Sequence, residues 1–144
     1  MQEFFAFAAD AWPLFVALAL IVVMLVHHEV SARTQGFRDV PPEEATRLIN
    51  RDEAAVLDVR DSKELSADGR IAGSVHIPVS ELGGRVGELE KFKERPVLAY
   101  CRSGHRSRTA ARLLRKQGFE QVYNLQGGIV AWQNANLPVT RKKK

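Results

Sequence analysis

A single cysteine, Cys101, stands among 144 residues. No disulfide can therefore form within the chain, and a lone thiol suits a reducing compartment. Basic residues are missing from the N-terminal part, since all 21 Lys and Arg lie at or after Arg33. That absence removes the basic leader a secretory signal peptide needs, although Val30, Ser31 and Ala32 loosely imitate a cleavage site. Aromatic residues are few, and none interleaves with the basic run Arg141 to Lys144. Base stacking has no platform there, so no nucleic-acid partner is expected and the run reads as a solvated tail. Internal repeats and low-complexity tracts are also absent, which leaves one ordinary folded unit plus an appendage.

The appendage is the segment Phe4 to Val26, almost wholly apolar and interrupted by Asp10. As a helix it would be about 34 Å long, enough for a bilayer's hydrocarbon core, whereas Trp12 to Val26 alone would reach about 22 Å. A full crossing thus puts Asp10 near the outer interface or thins the bilayer. Only acids precede the span and the positive charges follow it, which by the positive-inside rule turns the C-terminal side inward. The reading is a retained single-pass anchor in the inner (cell) membrane with a cytoplasmic domain, the lipid bilayer being one partner. Residues 1–30 are assigned to the anchor helix, 31–36 to a linker, 37–140 to the folded domain and 141–144 to the basic tail.

From Phe37 onward short apolar runs alternate with amphipathic ones, the pattern of an α/β fold in which an open parallel sheet is covered by helices. Five strands are expected, at 37–40, 54–59, 74–77, 96–100 and 122–125. Helices are expected from Pro41 and Pro42 to Asn50, over 106–117 with Gly118 past its end, and, after a tight turn at Gly127 and Gly128, through Trp132, which is expected in the core; 62–68, closed by Gly69, is expected as a short helix or turn. Between Ser80 and Glu94, Gly83, Gly84 and Gly87 predict a weak first half and a better helix around Leu89 and Phe92.

Cys101 falls where the strand ending at Tyr100 gives way to a helix, the carboxyl edge at which open α/β sheets place ligands. Arg102, Ser103, Gly104, His105, Arg106 and Ser107 follow, combining a flexible Gly, small hydroxyls and cations. Such a loop can aim backbone N–H groups inward as an anion-binding nest. A thiol enclosed by N–H donors, a helix N-terminus and guanidinium groups is more acidic than a free Cys, and its thiolate is the reactive form. The bland alternative is an inert, buried Cys at a strand end, which the polar and cationic loop disfavours.

The run Cys101-Arg-Ser-Gly-His-Arg-Ser107 resembles the active-site loop of the rhodanese (sulfurtransferase) family. Leu57-Asp-Val-Arg60 is similar to that family's strand signature, Gly69-Arg-Ile-Ala-Gly-Ser-Val-His-Ile-Pro78 to its third-strand segment, and Leu125-Gln-Gly-Gly-Ile-Val-Ala-Trp132 to its closing motif. Together they run through residues 37 to 139 in the family's order, so the chain looks like a single-domain, membrane-anchored bacterial member with a rhodanese-like sheet. At Gly69-Arg70-Ile71-Ala72 the family's usual residues are Gly-His-Ile-Pro, a departure that bears on turn packing rather than on the chemistry.

The resemblance implies that the Cys101 thiolate attacks the outer sulfur of a donor such as thiosulfate, forming a persulfide that a thiol or cyanide then removes. Loop N–H groups would stabilise the persulfide's charge, Arg102 and Arg106 would hold the anionic donor, and Ser103 and Ser107 would add hydroxyl donors. His105 either relays protons or points to solvent. Asp58 and Arg60 are candidates to support the site from the neighbouring strand end, or else form a structural ion pair. No cofactor and no metal are implied. Phosphatases and arsenate reductases of the same fold place their Arg one residue farther from the Cys; here four residues separate Cys101 from Arg106, the smaller cradle. The rival reading is a membrane-tethered recruitment module with little turnover, in which the Cys is incidental.

Overall fold

The computed structural model describes Met1 and residues 11–141. Residues 2–10, which include Asp10 and the start of the expected span, and residues 142–144 of the basic tail lie outside the described residues. The chain divides into two compact units, Met1–Gln35 and Gly36–Lys144.

The first unit holds helix α1, Trp12–Thr34, with Pro13 in its first turn, where a missing N–H leaves no bond unmade. Its Trp12–Ser31 stretch is, among the described residues, the one helix long and apolar enough to cross a membrane. The consecutive residues Leu20, Ile21, Val22 and Val23 are all exposed, so apolar side chains lie on every side, as a bilayer-embedded helix requires. Sequence reading expected a polar connector from His27 and a linker over 31–36; the helix instead runs on to Thr34. No Gly or Pro lies between His27 and Thr34, and the first glycine after the helix, Gly36, is in the left-handed region at φ +72°.

The second unit is built on five parallel strands in the order β1-β5-β4-β2-β3. They are β1 (Arg38–Val40), β2 (Ala55–Asp58), β3 (Val75–His76), β4 (Val97–Tyr100) and β5 (Val122–Leu125). Every residue of β2 and β4 is buried, because central parallel strands are covered on both faces and read as continuous apolar runs. Side chains alternate between the two faces. On one side, Leu57, Val97 and Ala99 pack in a core with Leu82, Leu89, Ala110 and Leu114. On the other, Val56, Leu98 and Tyr100 pack with Ala45, Leu48, Ile129 and Trp132.

Five helices and one 3₁₀ helix supply those coverings: α2 (Pro42–Arg51), α3 (Ser62–Asp68), α4 (Val79–Arg85), the 3₁₀ helix Val86–Phe92, α5 (His105–Lys116) and α6 (Gly128–Asn134). The glycine-rich stretch departs from expectation, since its first half is α-helical and its second half 3₁₀. Fully buried Leu82 and Leu89 anchor the two halves. Arg85 pairs with both Glu81 and Glu88 at 2.7 Å. Tertiary anchoring outweighs the penalty of Gly83 and Gly84, about 1 kcal/mol each at most.

Where Arg70 and Ala72 depart from the expected turn, the backbone is held from the far end of the chain. Arg70 donates its N–H to the carbonyl of Thr140 at 2.9 Å and accepts one back at 2.7 Å.

Candidate active site

β4 and β2 lie side by side, with Asp58 opposite Tyr100 in the register. The segments leaving their carboxyl ends, α3 after β2 and the Cys101 loop after β4, therefore emerge together. Asp58 and Arg60 are both wholly buried. Arg60 donates to both Asp58 oxygens, from Nε at 3.0 Å and from a terminal nitrogen at 2.7 Å, and to the Gly69 carbonyl at 2.7 Å. Tyr100 donates its hydroxyl to Asp58 at 2.6 Å and accepts the Ile71 N–H at 3.1 Å. Burial, and then the Asp58 carboxylate, push the Tyr100 hydroxyl well above its ordinary value. These contacts lock the strand end one residue before Cys101; none of them reaches the sulfur.

Cys101 itself is a free thiol, 1% exposed. The chain turns at Gly104, whose φ of +101° is left-handed and favours a residue without Cβ. That turn brings the Gly104 N–H to 3.1 Å from Sγ, and Ser107, buried on the first turn of α5, points its Oγ to 3.3 Å. Burial raises the thiol, but the Ser107 hydroxyl and the backbone N–H groups of Ser107, Gly104 and Ser103 outweigh it and hold Cys101 below its ordinary value.

The loop's carbonyl groups face the other way. Ile129 and Val130 in the first turn of α6 donate their N–H groups to the carbonyls of Cys101 (2.9 Å) and Arg102 (3.3 Å). This approach exists only because residue 128 is glycine: a Cβ there would collide with both carbonyl groups. Sequence reading assigned Gly127 and Gly128 only a tight turn, and missed that Gly128 backs the loop. The adjacent glycine pair was the available signal. Trp132 is buried, as expected, and its ring N–H bonds the Pro138 carbonyl at 2.9 Å.

The polar side chains divide. Ser103 and His105 are exposed, and they border a hollow of about 220 Å³ with Gly104, Arg108, Asn124 and Gln126. Arg102 is 60% exposed, with its nearest carboxylate, Asp68, at 3.7 Å. Arg106 is held instead: two of its nitrogens meet the two oxygens of Glu64 at 2.7 Å each. The bond to Arg106 pulls the Glu64 carboxyl down to about 2. Among the described residues no group of three or more His, Cys, Asp or Glu is placed to hold a metal ion.

Such a geometry presents a buried thiol among neutral N–H and O–H donors, with one exposed cation, Arg102, nearby in the loop. Residues 41–135 match the family model of the rhodanese-like domain. The uncharacterized protein YibN of Escherichia coli K12 is 39% identical over 145 residues, covering 99% of this chain and all of that one. A thiosulfate sulfurtransferase, GlpE, of Actinobacillus succinogenes is 35% identical over 104 residues, 72% of this chain and 91% of that one. The crystal structure of a rhodanese-related protein from Thermoplasma volcanium superposes with a TM-score of 0.66 at 31% identity, covering 73% of this chain and 99% of that one.

Proposed function

The chain belongs to the rhodanese-like domain family, and on that premise we propose that it is a membrane-anchored sulfurtransferase whose Cys101 carries sulfane sulfur. The observation that supports this most is the pair of donors on Sγ, Gly104 N–H and Ser107 Oγ, in a loop whose Cys101 and Arg102 carbonyls are tied away on α6. These donors favour the thiolate over the thiol, and the charge of a persulfide on the same sulfur meets the same N–H groups.

The Cys101 thiolate attacks the outer sulfur of a donor such as thiosulfate. A bond forms between Sγ and that sulfur while the donor's own sulfur–sulfur bond breaks, its electron pair leaving on sulfite. An acceptor thiolate, or cyanide, then attacks the outer sulfur of the persulfide and returns Cys101 as thiolate. Arg102, exposed at the rim, meets the incoming anion. Phosphoryl chemistry fits less well, because Arg106 already gives both arms of its guanidinium to Glu64. The apolar α1 supports a tether to the inner membrane, with the positive charges that follow it favouring a cytoplasmic domain.

Intact-protein mass spectrometry after incubation with thiosulfate tests the reading. One added sulfur on the wild type and none on Cys101→Ser is the expected result; a wild type that gains none would overturn it.

A further inference from the structure

Both cations of the loop face acids from one short element. Asp61 caps α3, and its backbone N–H is held by Glu64 at 2.9 Å in a capping box. From the same turn Glu64 grips Arg106 with two 2.7 Å bonds, and Asp61 stands 3.7 Å from the same guanidinium. Asp68, at the other end of α3, lies 3.7 Å from Arg102. The Arg106–Glu64 pair is only 35% and 20% exposed, so solvent screens it less than a surface pair. Arg106 lies close enough to Cys101 for the thiolate to raise its affinity for its own proton.

Resting on the sulfurtransferase reading, we propose that Glu64 is a specificity-determining residue: by holding Arg106 as a neutral pair beside the cradle, it selects sulfur donors of low charge over dianionic ones. A cradle built from N–H and O–H dipoles accepts one negative sulfur readily. A second negative charge on the donor needs a free cation, and of the two loop arginines only Arg102 is loosely held. Monoanionic thiosulfonates and hydropersulfides fit this arrangement better than thiosulfate. With a thiosulfonate the balance is the same: the Sγ–S bond forms, the donor's S–S bond breaks, and a sulfinate leaves with the electron pair.

The test measures kcat/KM of the full chain for thiosulfate and for benzenethiosulfonate, with cyanide as acceptor, in four proteins. Glu64→Gln keeps an acceptor for the Asp61 N–H but leaves the Arg106 charge facing only the largely exposed Asp61, so the thiosulfate-to-benzenethiosulfonate ratio rises about three- to fivefold, the scale of a part-exposed charge interaction. Arg106→Gln leaves the Glu64 carboxylate uncompensated, so the ratio falls. Glu64→Gln combined with Arg106→Gln restores a neutral pair, and the ratio returns to within about twofold of wild type. Raising the ionic strength shrinks both single-variant effects.

A purely structural role for Glu64 would change both donors alike and would not give opposite signs in the two single variants. Sulfur uptake on Cys101 with an unchanged ratio overturns the selectivity proposal alone. No uptake by any variant from either donor overturns the sulfurtransferase reading and the selectivity proposal with it. Where Glu64→Gln does not fold, the fall in Arg106→Gln decides, and an unchanged or increased ratio there overturns the proposal.

Discussion

The backbone N–H of Ile129 donates to the carbonyl oxygen of Cys101 at 2.9 Å, so the first turn of α6 holds the residue that carries the thiol. The closing motif of the domain is in this way part of the cradle's frame. Its glycine makes the approach possible, since a Cβ at residue 128 would overlap the carbonyl groups of Cys101 and Arg102.

Gly128→Ala therefore forces either the loop or α6 to move, and it also sets Ala at a φ of +61°. A loss of at least about 2 kcal/mol of stability is expected, together with loss of sulfur uptake in the molecules that remain folded. Thermal melting and intact-mass measurement on one sample separate the two effects; a variant that melts like wild type and takes up sulfur normally contradicts the framing role.

Alkylation of Cys101 by iodoacetamide, followed against pH, reports its thiolate. The donors on Sγ lower the thiol below its ordinary value, so the alkylation midpoint lies below that of a free cysteine. Ser107→Ala removes a donor to the charged form, which moves the midpoint up and slows alkylation at neutral pH. A midpoint unmoved by that substitution rules out Ser107 as a support of the thiolate.

The Glu64 carboxyl, drawn down to about 2 by Arg106, ties stability to acidity. Its folded-state value lies below the ordinary carboxylate value of about 4.3, so the stabilisation is complete above that value. It is lost as pH falls towards about 2. Glu64→Gln is thus expected to melt below wild type at pH 7, with the gap closing through that acidic window. A gap of constant size across it would assign the effect to helix capping alone.

Asp58→Ala leaves the buried Arg60 guanidinium without its carboxylate and frees the Tyr100 hydroxyl. Removing one partner of a buried pair costs about 3–5 kcal/mol, so a fall in melting temperature of more than about 10 °C is expected for a domain of this size. A fall of only a few degrees would mean that water reaches Arg60 in the variant.

If α1 is a retained anchor, the full chain stays with membranes through alkaline carbonate extraction. Leu20→Lys combined with Val23→Lys, two charges near the middle of the apolar stretch, releases it by adding about 5–7 kcal/mol to insertion. A reporter fused after Lys144 that is active only in the periplasm would reverse the proposed orientation.

Much of this molecule was legible in local residue order. The strands over 54–59 and 96–100 were visible as short apolar runs, and the structure has β2 and β4 there. The helix over 106–117 announced itself by its spacing and by Gly118, and α5 occupies His105–Lys116. The loop from Cys101 to Ser107 could be read as a nest because Gly104, small hydroxyls and a following helix are neighbours in sequence. The apolar stretch that became Trp12–Thr34 was equally plain, though its extension past His27 was not, because His and Glu are tolerated in a helix that lacks Gly and Pro.

What order along the chain left open was which groups meet. That Glu64 rather than a donor takes both arms of Arg106, 42 positions away, follows from β2 and β4 lying adjacent with Asp58 opposite Tyr100. That register brings the segments after both strands to one edge. The α-helical first half of the glycine-rich stretch depends on Leu82 finding the core, and the inward turn of the loop on Ile129 and Val130 reaching its carbonyls. Residue types and spacing determine local conformation and the chemistry on offer. Only the packing of distant segments decides which charges are cancelled and which backbone groups remain free, because those energies arise from neighbours in space.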